Sequence, residues 1–173
     1  LVPILERSAP SRVVVLSSSV YKGASIDFDD LQAEKSYATM KVYGASKLMN
    51  LLFVRSLAKR LAGRGVTVNA VHPGVVSTAL ARDFPAPFRV MAKLFFSTPE
   101  KGAKTSLFVA TDPSLDGVTG KYFASAKEAK IEGPGLDDAA AERLWQISSK
   151  IGLLPAWPLG GAPLEVARAV GGH

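Results

Sequence analysis

The chain has 173 residues, 47% of them hydrophobic and 21% charged, with a formal net charge of +6, no cysteine and two histidines. That length supports one domain with a real core, and the missing cysteines exclude a disulfide framework and any thiolate metal site. No apolar run approaches a membrane span, no basic leader precedes an apolar stretch, and the lysines and arginines are scattered rather than interleaved with aromatics as a nucleic-acid face requires.

"RVVVLSSS" (12–19) predicts a buried strand, a continuous aliphatic run ended by small polar residues. "VYKGASIDFDDLQAEKSY" (20–37), with Gly23 and the acidic cluster Asp27, Asp29 and Asp30, predicts a long surface loop. From about Thr39 to Leu61 the residues Leu48, Leu51, Leu52, Leu57, Ala58 and Leu61 recur every three or four positions, with Arg55, Lys59 and Arg60 between them. This is an amphipathic helix, and Gly63 and Gly65 end it. "VTVNAVH" (66–72) predicts a second strand, stopped by Pro73-Gly74. Strand, long helix and strand in that order predict a parallel pair with a right-handed crossover.

A strongly apolar piece, "FRVMAKLFF" (88–96), precedes a second helix over 98–111, with Thr98 as N-cap, Pro99 at the first helical position and Glu100 in the first turn. "GVTGKYFAS" (117–125) predicts a turn and a short third strand, and 136–152 a closing helix that starts near Asp137 or Asp138 and stops at Gly152. Residues 1–153 therefore form one α/β domain, and the Pro/Gly-rich 154–173, which has no period, is expected to be a disordered tail.

Chemistry enters through a pattern that occurs twice, Tyr37/Lys41 and Tyr43/Lys47, each Tyr-x-x-x-Lys. A phenol titrates near ~10 in water, so at neutral pH it shuttles protons reluctantly. An ammonium one helical turn away favours the phenolate and makes the phenol a better acid toward a carbonyl oxygen. The pattern alone is weak. Tyr37 stands in the polar loop before any helical period, which favours a surface pair. Tyr43 and Lys47 enclose "GAS", three small residues that permit close approach, and the apolar stripe begins right behind them. Residue chemistry favours the second pair without closing the choice. Ser17-Ser18-Ser19 end the first strand and Pro73-Gly74, followed by Val76 and Thr78, end the second. In an open parallel sheet both ends face the ligand crevice.

The blocks "RVVVLSSSVYKG", "IDFDDLQ", "YGASKLMNLLF", "GVTVNAVHPGVVSTAL", "TPEKGAKTSLFVAT" and "GVTGKYF" resemble, in order and spacing, the short-chain dehydrogenase/reductases, and among them the retinol-dehydrogenase-like branch. The resemblance runs from about Ser11 to Gly152. It implies part of a Rossmann-type doubly wound parallel sheet, the C-terminal half of the family fold. The long acidic loop between serine and tyrosine that this branch carries selects Tyr43, with Lys47, over Tyr37.

By position, the resemblance makes Tyr43 the proton donor or acceptor at the carbonyl or alcohol, Lys47 its tuning cation and a ligand of the nicotinamide ribose, and Ser18 the group that holds the substrate oxygen. Pro73, Gly74, Val76 and Thr78 match the turn at the nicotinamide end of the cofactor, NAD or NADP with a leaning to NADP, while Asn69 matches a structural position. The segment 84–96 corresponds to the region over the substrate. Its Phe84, Phe88, Phe95 and Phe96 are read either as a lipophilic substrate site or as plain core or dimer packing.

The glycine-rich turn that cradles a dinucleotide pyrophosphate opens a helix after a strand, and none occurs in these 173 residues. The family carries that turn, its adenosine-selecting residue and a catalytic asparagine upstream of what corresponds to Leu1. The chain, which does not begin with Met, thus reads as truncated and is expected to bind NAD(P) poorly by itself. Two functional readings follow: an oxidoreductase acting on an alcohol or carbonyl compound, and a non-catalytic family remnant that pairs with a partner, a homodimer through the long helix included. No metal and no nucleic acid are expected. Location is left between the cytoplasm and a membrane surface.

Overall fold

The computed structural model describes residues 1–74 and 99–152. Val76, Thr78, Thr98, the four phenylalanines of 84–96 and the tail 154–173 lie outside these residues. The described chain runs α1 (Val2–Arg7), β1 (Ser11–Leu16), a 3-10 turn (Ser19–Gly23), α2 (Thr39–Arg60), β2 (Val66–His72), α3 (Pro99–Thr111), a second 3-10 turn (Pro113–Leu115), β3 (Tyr122–Ala124), β4 (Lys127–Ala129), a third 3-10 turn (Gly133–Leu136) and α4 (Asp138–Ile151). No helix among the described residues is long and apolar enough to cross a membrane.

The strands form one sheet in the order β1-β2-β3-β4. β1 and β2 are parallel, with Ser11 opposite Val66 and Leu16 opposite Val71. β2 and β3 are parallel with Ala70 opposite Tyr122, and β4 returns antiparallel. This is the expected α/β fold with a mostly parallel sheet. Strand β2 occupies the predicted residues because its valines and alanines are buried on both faces, as a central parallel strand demands.

One face of the sheet carries α2 and α4, where Leu48, Leu51, Leu52 and Val54 of α2 are at most 2% exposed and pack with Val68, Ala70 and Tyr122. The other face carries α3, with Val109 and Phe123 buried against Val71. Each fully buried Leu contributes about 1.5–3 kcal/mol relative to exposure. Two polar side chains tie strands to their neighbours. Arg12 donates to the carbonyls of Val109 (3.0 Å) and Asp112 (2.8 Å) and to Asp116 Oδ1 (2.6 Å), closing the C-terminus of α3. Asn69 Nδ2 donates to Val118 O (2.7 Å) and its Oδ1 accepts from Lys121 N (2.9 Å), which fixes the turn that leads into β3.

Three local expectations differ from what is found. The first strand, expected over 12–19, runs from Ser11 to Leu16: Ser17 still donates its backbone N–H to Val71 O at 2.8 Å, but its hydroxyl turns to the carbonyl of Lys47 at 2.8 Å and the 3-10 turn begins at Ser19. The loop after it is not purely a surface loop: Tyr21 is fully buried, and Ile26, Phe28 and Leu31 pack against the core. Arg60, read as one of the polar residues between the apolar positions of the long helix, is 2% exposed. Its guanidinium lies 4.2 Å from the Trp145 ring, and its Nη2 donates to both carboxylate oxygens of Glu142 at 3.0 and 2.8 Å. That hydrogen-bonded pair holds the Glu142 carboxyl below the usual range and binds α4 to α2.

The α2–α4 contact yields a stability prediction. Arg60→Ala removes the packing on Trp145 and strips Glu142 of its counter-charge, and should lower the urea unfolding free energy by about 3 kcal/mol or more. Asp138→Asn, which weakens only the half-exposed pairs with Arg55 and Lys59, should cost less than about 1 kcal/mol in the same assay.

Candidate active site

Helix α2 and the carboxyl end of β1 are joined by two side chains. Ser17 Oγ donates to Lys47 O at 2.8 Å, and Asn50 Nδ2 donates to Leu16 O at 2.9 Å. Between them they hold the third turn of the helix against the point where β1 stops. Ser18 follows at once, 7% exposed, with an extended backbone that opens the 3-10 turn. The far end of that turn returns to the helix at Gly44: a Cβ built there would meet Ala24 Cβ at 3.3 Å and Val20 O at 3.8 Å. The close approach expected of the "GAS" spacer is therefore realised by its glycine, the residue next to Tyr43.

Tyr43 and Lys47 lie one helical turn apart and are both half-buried, with Lys47 Nζ 5.6 Å from the centre of the Tyr43 ring. Among the described residues Lys47 forms no ion pair with a carboxylate. The rival pair differs: Tyr37 is 71% exposed, two positions before the helix begins, and Lys41 is exposed as well.

The end of β2 lies beside the end of β1, since Ser17 N donates to Val71 O at 2.8 Å. His72 closes β2; burial lowers its pKa, and its Nδ1 has no partner among the described residues. Pro73 and Gly74 leave from the same edge. Gly74 has φ +84, a left-handed conformation that suits glycine, and among the described residues nothing lies within 4 Å of where its Cβ would stand. The structure thus gathers Ser18, Tyr43, Lys47, Pro73 and Gly74 on the elements that meet at one sheet edge, where open parallel sheets bind ligands.

Glycines elsewhere do not form a phosphate cradle. Gly63 and Gly65 lie between α2 and β2, Gly117 and Gly120 precede β3, and Gly133 and Gly135 precede α4. Of these turns only the one with Gly133 and Gly135 stands between a strand (β4) and a helix (α4), and there Gly135 is packed against Leu51, Ile131 and Tyr21 rather than open to a phosphate. No group of three or more His, Asp or Glu side chains among them could hold a metal ion.

The residues that sequence reasoning missed are Ser17, Tyr21, Gly44 and Asn50, which build the frame. Only Gly44 left a signal, as the small spacer inside the Tyr-x-x-x-Lys pattern.

Comparison with known proteins fits this arrangement. The family described as enoyl-(acyl carrier protein) reductase matches residues 12–125. Retinol dehydrogenase 14 from Homo sapiens is 45% identical over 161 residues, which span 89% of this chain and 48% of that protein. The chain therefore spans about half the length of the curated relatives it matches. An uncharacterized protein from Mycobacterium paratuberculosis superposes with a TM-score of 0.66 at 26% identity, over 86% of this chain and 52% of its own. An NADPH-bound carbonyl reductase from chicken fatty liver shares the fold with a TM-score of 0.52 at 18% identity, over 75% and 49% of the two chains. The chain belongs to the short-chain dehydrogenase/reductase family, in its retinol-dehydrogenase-like branch.

Proposed function

We propose that this chain carries the proton-transfer centre of an NAD(P)-dependent oxidoreductase that interconverts an alcohol and a carbonyl compound. The observation that carries this reading is the stacking of Tyr43 and Lys47 on the first turns of a helix fastened to the strand end that bears Ser18. The likeness to a retinol dehydrogenase and to an NADPH-bound carbonyl reductase supports the reaction class.

The residues present fit the nicotinamide end of such a cofactor. Lys47, a cation with no carboxylate partner among the described residues, would hold the ribose, and the turn at Pro73-Gly74 would accept the ring; the resemblance assigns Val76 and Thr78 to the same end of the cofactor. When bound, the nicotinamide supplies or takes the hydride.

The chain's own part is the proton. In reduction the Tyr43 phenol gives its proton to the carbonyl oxygen as negative charge builds there, and in oxidation its oxygen takes the alcohol proton. The ammonium of Lys47 stabilises the charge left on the phenol oxygen. The Ser18 hydroxyl donates to the substrate oxygen and holds it within reach. The apolar composition of 84–96 favours a lipophilic substrate, and the resemblance favours NADP over NAD.

A second reading, a non-catalytic family member, is favoured by one observation: the sequence contains no G-x-G-x-x-G fingerprint for a dinucleotide pyrophosphate. Two measurements separate the readings. In a turnover-competent protein carrying this chain, Tyr43→Phe should lower kcat by about 10²–10⁴-fold while cofactor affinity holds. Undiminished turnover would remove Tyr43 from the chemistry. The 173-residue chain alone should titrate with NADPH in calorimetry without reaching saturation at micromolar concentrations, and a tight, saturable isotherm would show that it needs no separate phosphate cradle.

A further inference from the structure

Tyr21 is the largest uncharged side chain with no exposure at all, and it stands three residues after Ser18 in the same turn. A tyrosine in a polar loop would ordinarily keep its hydroxyl in water. Here the phenol oxygen accepts the backbone N–H of Glu132 at 3.1 Å, far along the sequence. The ring meets Tyr122 of β3 edge-on, with centroids 5.4 Å apart and planes at 80°. Gly135 lies flat against its other edge, where a Cβ would come within 2.9 Å of Tyr21 Cε2.

The neighbouring side chain adds a weaker tie. Lys22 Nζ donates to Glu132 Oε2 at 3.0 Å, a half-exposed pair worth little by itself. The turn's own backbone is closed by Tyr21 N to Ser18 O and Ala24 N to Tyr21 O, both at 3.1 Å. On its other flank the turn lies against Gly44, beside Tyr43.

We infer that Tyr21 is a positioning residue for Ser18: its hydroxyl, clasped by the backbone of residue 132, fixes the serine turn between helix α2 and the 132–136 turn. This rests on the role proposed above for Ser18. A buried ring anchored at three points holds a short turn far more narrowly than the turn's own two hydrogen bonds. The clasp also connects the turn to the segment that enters α4, whose N-cap Asp137 accepts from Ala140 N at 2.8 Å.

Hydrogen exchange on the 173-residue chain tests the clasp directly. Tyr21→Phe keeps the ring and deletes only the accepted bond, and should speed exchange of the Tyr21, Ala24 and Glu132 amides by about tenfold while the amides of β2 and central α2 stay as they were. Tyr122→Phe is the matched control, since the Tyr122 hydroxyl is buried with no partner and burial pushes its pKa up to about 12. Equal exchange in the two variants, or an acceleration spread evenly over the whole chain, would overturn the inference.

In a turnover-competent protein, Tyr21→Phe should also lower kcat several-fold with the cofactor KM unchanged. An unaltered kcat beside a loosened turn would overturn the positioning role. Ser18→Ala is the separate check on the underlying reading. Full turnover in that variant removes Ser18 from the chemistry and leaves the exchange result to stand by itself.

Discussion

The site depends on how α2 is fastened to the end of β1. Ser17 and Asn50 each spend a side-chain hydrogen bond on a main-chain carbonyl of the other element, at 2.8 and 2.9 Å. The Ser17 bond lies in a partly buried seam, where an unmet polar group is costly, and the Asn50 bond lies at its exposed rim. The two bonds therefore fix rotation as well as distance. If the helix turned about its axis, Tyr43 and Lys47 would swing away from the strand end, since side chains at this spacing share one face.

The sequence made the larger elements legible for identifiable reasons. β2 carries the aliphatic Val66, Val68, Ala70 and Val71 between Gly65 and Pro73-Gly74, so both limits were marked. The closing helix announced its start, and Asp137 does cap it. Gly63 and Gly65 take φ +76 and +70, the left-handed conformation that a helix exit often needs. Other features left no mark. β4 contains no β-branched residue, and the two residues before it, Ser125 and Ala126, sit at φ 52 and 55 without glycine or asparagine to signal a hairpin. Their conformation is imposed by tertiary contacts, among them the Thr105 hydroxyl that accepts from Ala126 N at 3.2 Å.

The candidate site was legible to a similar degree. Spacing offered Tyr43/Lys47 and Tyr37/Lys41 alike, and it was the family resemblance that chose the first pair and picked Ser18 from the strand end. The residues that hold them in place do not, because their partners are backbone atoms distant in sequence. Tyr21 reads as a loop aromatic until Glu132 is seen beside it. Arg60 reads as a solvated helix residue until Trp145 and Glu142 enclose it. Long-range polar partners leave no periodicity for a sequence reading to find.

Among the described residues β1 has a hydrogen-bonded neighbour on one side only. Its successive valines, Val13, Val14 and Val15, are each only partly buried, and Leu16 is half exposed. A row of open amides and carbonyls on an aliphatic strand recruits whatever extended backbone arrives first. Such an edge, where no described strand covers it, favours association of the isolated polypeptide through its backbone, a tendency that the net charge of +6 opposes.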